Sequence, residues 1–584
     1  MTYAGRFACA LLLLASASSP GLAQSTRKPD ALDSMVAEQM QRRDIVGLSL
    51  AIIDSGRIVD TRSYGFTTRG GRERVTASTL FQAGSISKPV AALAALQLVD
   101  KGAVSLDANV NDKLTSWRVP DNEFTQKESV TLRRLLSHTA GLTVHGFPGY
   151  PVTARVPSTP DVLDGKGNTP AVRVNVLPGS IWRYSGGGYT VMQQLVADVT
   201  GAPFASHLEA QVLKPLGMVS SSFAQPLSAS MAARTATAHR LDRRPVVGRW
   251  HVYPEMAAAG LWTTPSDLAR YAIGVQQMMA GKSSVLSTSV AKQMLTEQKG
   301  GYGLGPAVAD TGATLRFSHN GRDEGFDASL IAYAHAGHGV VVMINANDNS
   351  RAVQRIIDFI ALRRGWPAYR APAGEAVTTS PDAPKIMATV AGRYEFQNNN
   401  MLTLFVQDGK LFTDVNGLPD EEWVVASDGR VVSKERPAAF KPTMVDGAIT
   451  GITLLAANGS SRPVPRVGPL FVDRATTPDA DTAMTARVTT ALGNFAKGGD
   501  YVRTSPVLTE GARSVFGRPS PEFADVRSVS HVTTESVAGR GIIRHGHAIV
   551  RVIHYRIAAA SGTHHAIVLV DDQNRVADFD LVSR

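Results

Sequence analysis

The sequence predicts a multi-domain chain. An α/β (α+β) domain comes first, with helices flanking one antiparallel sheet beside a helix-rich portion, followed by a small antiparallel β domain and a second α+β domain. Three observations predict this order. The 584 residues exceed what one hydrophobic core normally supports, so two to four domains are expected from size alone. A strand-turn-strand pattern near the N-terminus returns near residue 330, as happens when the two ends of one domain share a sheet. Breaks rich in Pro, Ala, Ser, Thr and Asp at 371–384 and near 475–482 have the composition of linkers.

Taken in order, apolar residues recur at helical spacing from Ala31 to Arg42. Gly47 to Ile53 and Ile58 to Tyr64 flank Asp54-Ser55-Gly56, which predicts a hairpin. Residues 85 to 300 are helix-rich with long Pro- and Gly-bearing loops, notably 145 to 180. Leu330 to Tyr333 and Val340 to Ile344 read as strands, and Val353, Ile356, Ile357 and Ile360 mark one face of a helix ending at Gly365. The first domain is therefore placed at 30–367 and a linker at 371–384. From 385 to 472 short apolar runs alternate with Asp408-Gly409, Asp428-Gly429 and Asn458-Gly459, the spacing of a small barrel or sandwich. Residues 482–584 read as a helical segment followed by strands that include His547 to Ile557, His565 to Val570 and Val576 to Leu581.

Residues 1–23 differ from the rest. Arg6, an apolar run through Leu14 and small residues ending in Gly21-Leu22-Ala23 have the layout of a cleaved signal peptide, so the chain is expected to be exported, to the periplasm or beyond. The single cysteine, Cys9, lies inside that leader, which leaves the mature chain without thiolate chemistry or disulfides, and no lipid anchor is expected. No internal stretch has the ~20 apolar residues needed to span a bilayer. The formal net charge is +10, but the basic pairs Arg42-Arg43, Arg133-Arg134 and Arg363-Arg364 are scattered. That argues against a nucleic-acid partner and leaves peripheral attraction to an anionic cell envelope. His545-x-His547 and His564-His565 lack carboxylate or cysteine companions at ligand spacing, so neither a metal nor another cofactor is expected.

The tetrapeptide Ser-x-x-Lys occurs three times, at Ser25–Lys28, Ser85–Lys88 and Ser289–Lys292. Context selects the second. Ser85 opens the Ala- and Leu-rich helical run from Val90 to Asp100, where backbone N–H groups favour developing negative charge, and three residues of helix place Lys88 on its face. A hydroxyl needs a base, and a lysine in a confined pocket can serve or can hold a second base deprotonated. Tyr184, before Ser185-Gly186-Gly187-Gly188, stands at the mouth of another helix, and an adjacent ammonium is expected to lower its pKa enough for the phenolate to act as base. Phe317 to Arg322 reads as a strand ending near Gly321. His138 is expected to be packed and hydrogen-bonded rather than catalytic.

Together with Leu135-Leu136-Ser137-His138-Thr139-Ala140-Gly141-Leu142, Pro178-Gly179, Lys214-Pro215-Leu216-Gly217-Met218, Ala259-Gly260-Leu261-Trp262-Thr263-Thr264-Pro265-Ser266-Asp267-Leu268 and His319-x-Gly321, these motifs resemble the beta-lactamase-related, penicillin-recognising serine hydrolases. That group includes class C beta-lactamases, D,D-peptidases, D-aminopeptidases and esterases, and the resemblance covers about residues 31 to 365. It implies a cleft between a helical domain and an antiparallel sheet flanked by helices. It also implies acylation of Ser85, proton handling by Lys88 and Tyr184, His319 at the strand edge, an oxyanion hole from the N–H groups of Ser85 and Arg322, and substrate contacts at Gly186, Asn320 and Gly321. Residues Ala391 to Val467 are similar to the lipocalin-like barrel attached to such hydrolases, and the last segment resembles a cystatin or nuclear-transport-factor cone.

Two departures bear on substrate. Gly186 stands where lactam-hydrolysing members carry the asparagine of Tyr-x-Asn, and His319-Asn320-Gly321 replaces Lys-Thr-Gly, which removes a cationic carboxylate anchor while His319 is still expected to donate hydrogen bonds. The expected activity is hydrolysis of an ester or a D-amino-acid-containing peptide or amide, with a small molecule or peptide as partner. A true beta-lactamase or penicillin-binding D,D-peptidase is the alternative within the class, and a non-catalytic binder of cell-envelope peptides or lipids the alternative outside it.

Overall fold

The computed structural model describes residues 28–582 except 241–244, 398–399, 416–417, 456–460, 469–475, 516–522, 541, 545–546 and 561. The predicted leader with Cys9, and also Ser25, Asn458-Gly459 and His545, lie outside the described residues.

The hairpin read from the sequence forms as the strands Gly47–Asp54 and Arg57–Gly65, with a register shift at Ile52/Ile53. Gly47–Asp54 pairs on its other side with Gly339–Ile344, Leu48 facing Ile344. The sheet continues through Phe326–Tyr333, Arg316–Asp323 and Ala307–Ala309, six strands in all and every pairing antiparallel. Its two ends thus come from both sides of a helix-rich insertion, as the returning strand pattern predicted.

Alternation along the central strands explains the layers. Leu48, Leu50, Ile52, Val340, Val342 and Ile344 share one face with Leu32 and Val36 of the helix Ala31–Arg42 and with Val353, Ile356, Ile357 and Ile360 of the helix Arg351–Arg363. Ala51, Ile53, Val341 and Met343 face the other way, onto Leu268, Ala272 and Val275 of the helix Pro265–Met279. Each fully buried Leu or Ile contributes about 1.5–3 kcal/mol, so the sheet is clamped from both faces. The second core continues into the insertion, where the helix Ser87–Asp100 is buried along almost its whole length and packs against the helices Gly186–Thr200 and Met256–Ala259.

Beyond this domain, eight strands from Gly392–Gln397 to Ser461–Gly468 close into a barrel, which decides between the barrel and sandwich readings. Tyr394, Leu404, Leu411, Trp423, Phe440, Ile452 and Val464 form its core with Ala383, Met387 and Val390 of the helix Ala383–Val390. The Pro- and Thr-rich segment before that helix is tied down: Gly374 N–H donates to Lys434 O (3.2 Å) and Ser380 N–H to Val425 O (2.8 Å). The last region packs Met484, Val488, Leu492 and Phe495 of the helix Thr482–Lys497 onto a sheet of Val526–Ser536, His547–Ala559, Gly562–Asp571 and Val576–Val582.

Candidate active site

Ser85 lies in a tight turn, Gly84–Ile86, that leads straight into the helix Ser87–Asp100. One helical turn on, Lys88 Nζ reaches back to 2.9 Å from Ser85 Oγ and is fixed from the other side by the Ala258 carbonyl oxygen, also at 2.9 Å. The other two Ser-x-x-Lys matches do nothing comparable: Ser25 is outside the described residues, and Ser289 and Lys292 are exposed on the helix Thr288–Met294. Burial strips water from the Lys88 amine and lowers its pKa to about 7, Asp323 opposing that shift.

Tyr184 precedes the helix Gly186–Thr200, whose N-cap Ser185 accepts from Gly188 N–H (3.0 Å). Its ring lies under Lys88 Nζ, 4.9 Å from the centroid. Here the structure corrects the sequence reading. Tyr184 is pushed up, not down, because burial outweighs the opposing effect of the Ser85 side chain, so the tyrosine stays protonated and Lys88 is the group poised near neutrality. His138 is buried just past the helix Leu132–Leu136, stacks on Tyr184 at 4.2 Å and accepts Ser185 N–H through Nδ1 (3.2 Å). It fixes the tyrosine segment.

The strand Arg316–Asp323 forms the opposite wall and approaches the nucleophile turn at backbone level. A Cβ on Gly84, at φ +51°, would lie 2.4 Å from Arg322 N, and one on Gly321 would lie 1.8 Å from Ala83 O. Glycine at both positions lets the Arg322 amide nitrogen sit against the turn that carries Ser85. Gly321 thus packs its backbone against the turn that carries Ser85. The Arg322 guanidinium turns away to Asp327 (Nε–Oδ1 2.9 Å) and Asn349 (2.9 Å).

His319 is buried with Nδ1 2.6 Å from Asn320 O. A carbonyl oxygen only accepts, so Nδ1 carries the proton, and burial, with Lys88 nearby, drops the imidazole pKa to about 3. The expected donor is therefore spent within its own strand. Nε2 is left as a bare acceptor, with no hydrogen-bond partner among the described residues. Asn320 lies on the other face of the strand, where its Oδ1 accepts from Ser329 Oγ (2.7 Å).

Gly186 also departs from its expected role. Its N–H donates to His145 O (3.0 Å), and a Cβ there would meet that oxygen and Phe147 Cε2, each at 3.0 Å. A side chain at Gly186 would press on the loop 145–147. Aromatic rings continue this wall: His145 lies 4.9 Å from Tyr184, Trp182 5.2 Å from Tyr302, and Tyr302 6.1 Å from His319.

Sequence reasoning missed Trp182, Tyr302, Phe147 and the carbonyl of Ala258. It also missed Glu255, fully buried at the start of the helix Met256–Ala259, with both carboxylate oxygens unpartnered among the described residues and a pKa raised by burial to about 7. The available signals were an acidic residue leading into the apolar run Met256-Ala257-Ala258-Ala259 and a tyrosine among the glycines of Gly300-Gly301-Tyr302-Gly303.

Chemically, the arrangement offers a hydroxyl beside an amine that is neutral near pH 7, a protonated phenol, and backbone N–H groups along one side. Comparisons with known proteins point the same way. The chain is 30% identical over 195 residues to esterase EstB of Burkholderia gladioli, a match covering 32% of this chain and only 49% of that protein. It is 28% identical over 374 residues to penicillin-binding protein 4 of Amycolatopsis lactamdurans, 60% of this chain and 93% of that one. The solved octameric penicillin-binding protein homologue from Pyrococcus abyssi superposes with a TM-score of 0.50 at 20% identity, over 74% of this chain and 94% of the other, which speaks to fold alone. Because residues 32–364, more than half of the chain and the whole of the Ser85 cleft, match the beta-lactamase family, the chain belongs to that family.

Proposed function

We propose that the chain is an exported serine hydrolase that works through an acyl-enzyme on Ser85, with an ester as the preferred substrate. The observation that carries this reading is the 2.9 Å contact between Ser85 Oγ and a buried Lys88 amine whose pKa stands at about 7. Lys88 takes the Ser85 proton as Oγ bonds to the carbonyl carbon. The resulting oxyanion lies against the N–H groups of Ser85 and Arg322. Collapse of that intermediate breaks the bond to the leaving oxygen, which takes the Tyr184 proton, and Lys88 returns its proton to Tyr184. Water then attacks the acyl-enzyme by the same route in reverse.

An ester is favoured because Gly186, crowded by Phe147, has no side chain to contact a substrate amide as the asparagine of the lactam-hydrolysing relatives does, and because His319 is uncharged and offers a carboxylate no anchor. The similarity to a Burkholderia esterase agrees. A D-amino-acid amide is the second reading, supported by the bare acceptor at His319 Nε2, which suits an N–H on the substrate. Export rests on the Arg6-to-Ala23 leader pattern.

The test is intact mass of the mature protein, wild type and Ser85→Ala, after a fluorophosphonate and separately after a penicillin. A single Ser85-dependent fluorophosphonate adduct is expected. A further stable penicillin adduct would move the substrate toward cell-wall peptides, and no adduct with either reagent would overturn the proposal.

A further inference from the structure

The helix Arg351–Arg363 starts badly by its own sequence. Its N-cap Ser350 is left-handed at φ 59°, as is Asn349 before it, and Ser350 makes no side-chain cap. Arg351 is the first helical residue and Arg355 the fifth, with no acidic residue in the first turn. The positive end of a helix dipole disfavours cations there. Two buried carboxylates repair the backbone: Asp348 accepts Ala352 N–H (2.7 Å), and Asp327 accepts Ser350 N–H (2.8 Å) and Asp348 N–H (3.0 Å). Asp327 is the same carboxylate that holds the Arg322 guanidinium through both oxygens.

The cations of this helix start are answered from the barrel. Asp420 and Glu421, on the barrel strand Leu418–Val425, meet Arg351 at 3.3 and 2.9 Å. Asp420 also pairs with the fully buried Arg43 and lies 3.5 Å from Arg355, which in turn pairs with Glu435. An unbroken series of ion pairs and hydrogen bonds therefore runs from the barrel strand through the helix start and Asp327 to Arg322.

We propose that the barrel is a positioning element for the oxyanion hole: Asp420 and Glu421 hold the start of the helix Arg351–Arg363, and with it Asp327 and the Arg322 backbone, in register with Ser85. This rests on the reading that Arg322 N–H stabilises the oxyanion. Asp420 and Glu421 touch no substrate; they act through Arg322.

The experiment compares full-length wild type with Asp420→Asn/Glu421→Gln, measuring kcat and KM on a chromogenic ester, affinity for a boronic acid that mimics the tetrahedral intermediate, and Tm. Expected are a kcat lower by about 10- to 100-fold, KM within about twofold, and boronate affinity falling in step with kcat. Asp420→Glu should recover part of the loss. Glu535→Gln, which breaks the pairs that the C-terminal strand Val526–Ser536 makes with Arg466 of the barrel and with Arg540, should leave kcat unchanged. A lower Tm with unchanged kcat and boronate affinity would overturn the proposal. If the double variant does not fold, Arg351→Lys is read by the same criteria. Fluorophosphonate labelling of Ser85 in the wild type keeps the two ideas apart: no labelling sinks the hydrolase reading, whereas labelling with indifferent seam variants sinks only this one.

Discussion

The Ser85 cleft and the seam between hydrolase domain and barrel both bury ionisable groups, and they do so in opposite ways. In the cleft, Lys88, Tyr184, His319 and Glu255 lie out of water without strong ion-pair partners, and burial drives each toward its neutral form. At the seam, Arg43, Arg351, Asp420 and Glu421 each lie against a group of opposite charge. A buried amine poised near neutrality, as Lys88 is, takes up and gives back a proton cheaply, whereas paired charges resist rearrangement. One region is built to move protons and the other to hold positions.

The strongest way to break that contrast is Lys88→Arg, which restores a permanent charge to the cleft. Acylation of Ser85 should slow by about 10³-fold or more in a stopped-flow fluorophosphonate or ester assay. In the wild type, kcat/KM should rise through about pH 7 as Lys88 loses its proton and stay level above it. The same limb should persist in His319→Gln, because an imidazole with a pKa of about 3 is already neutral there. Next in size is Arg43→Met. Asp420 keeps Arg351 and Arg355 but loses its most buried partner, and urea unfolding should show a loss of about 3 kcal/mol. The smallest effect is Glu255→Gln. With its folded pKa raised from 4.5 to about 7, Glu255 costs nothing below pH 4.5, and stability drains away as pH rises from there to about 7 because the unfolded chain ionises first. The variant should lose about 2 kcal/mol less than wild type between pH 5 and 8, read as a flatter plot of unfolding free energy against pH.

What the sequence made legible was local. Lys88 facing Ser85 follows from three residues of helix, the hairpin from Asp54-Ser55-Gly56, and the stripe Val353, Ile356, Ile357, Ile360 from helical spacing. Protonation states were not legible, since the direction of the Tyr184 shift depends on burial that chain neighbours do not reveal. Nor were the surroundings of Gly186: the ring that crowds it, Phe147, comes from a separate loop. The seam was furthest from reach, with Arg43 and Asp420 separated by 377 positions. The Lys-to-His change at residue 319 was visible as an identity. Its hydrogen-bonding direction was not, because that depends on the Asn320 carbonyl lying 2.6 Å from Nδ1.

The pinch between Gly84 and Gly321 also limits how this enzyme can diversify. One wall of the cleft is fixed by main chain pressed on main chain, so almost any side chain added at either glycine collides with backbone at under 3 Å. Substrate range can then drift only through side chains, His319 on the strand and His145, Phe147, Trp182 and Tyr302 on the facing wall. Selection for a new ester should therefore accumulate changes at those five positions and leave Gly84 and Gly321 untouched.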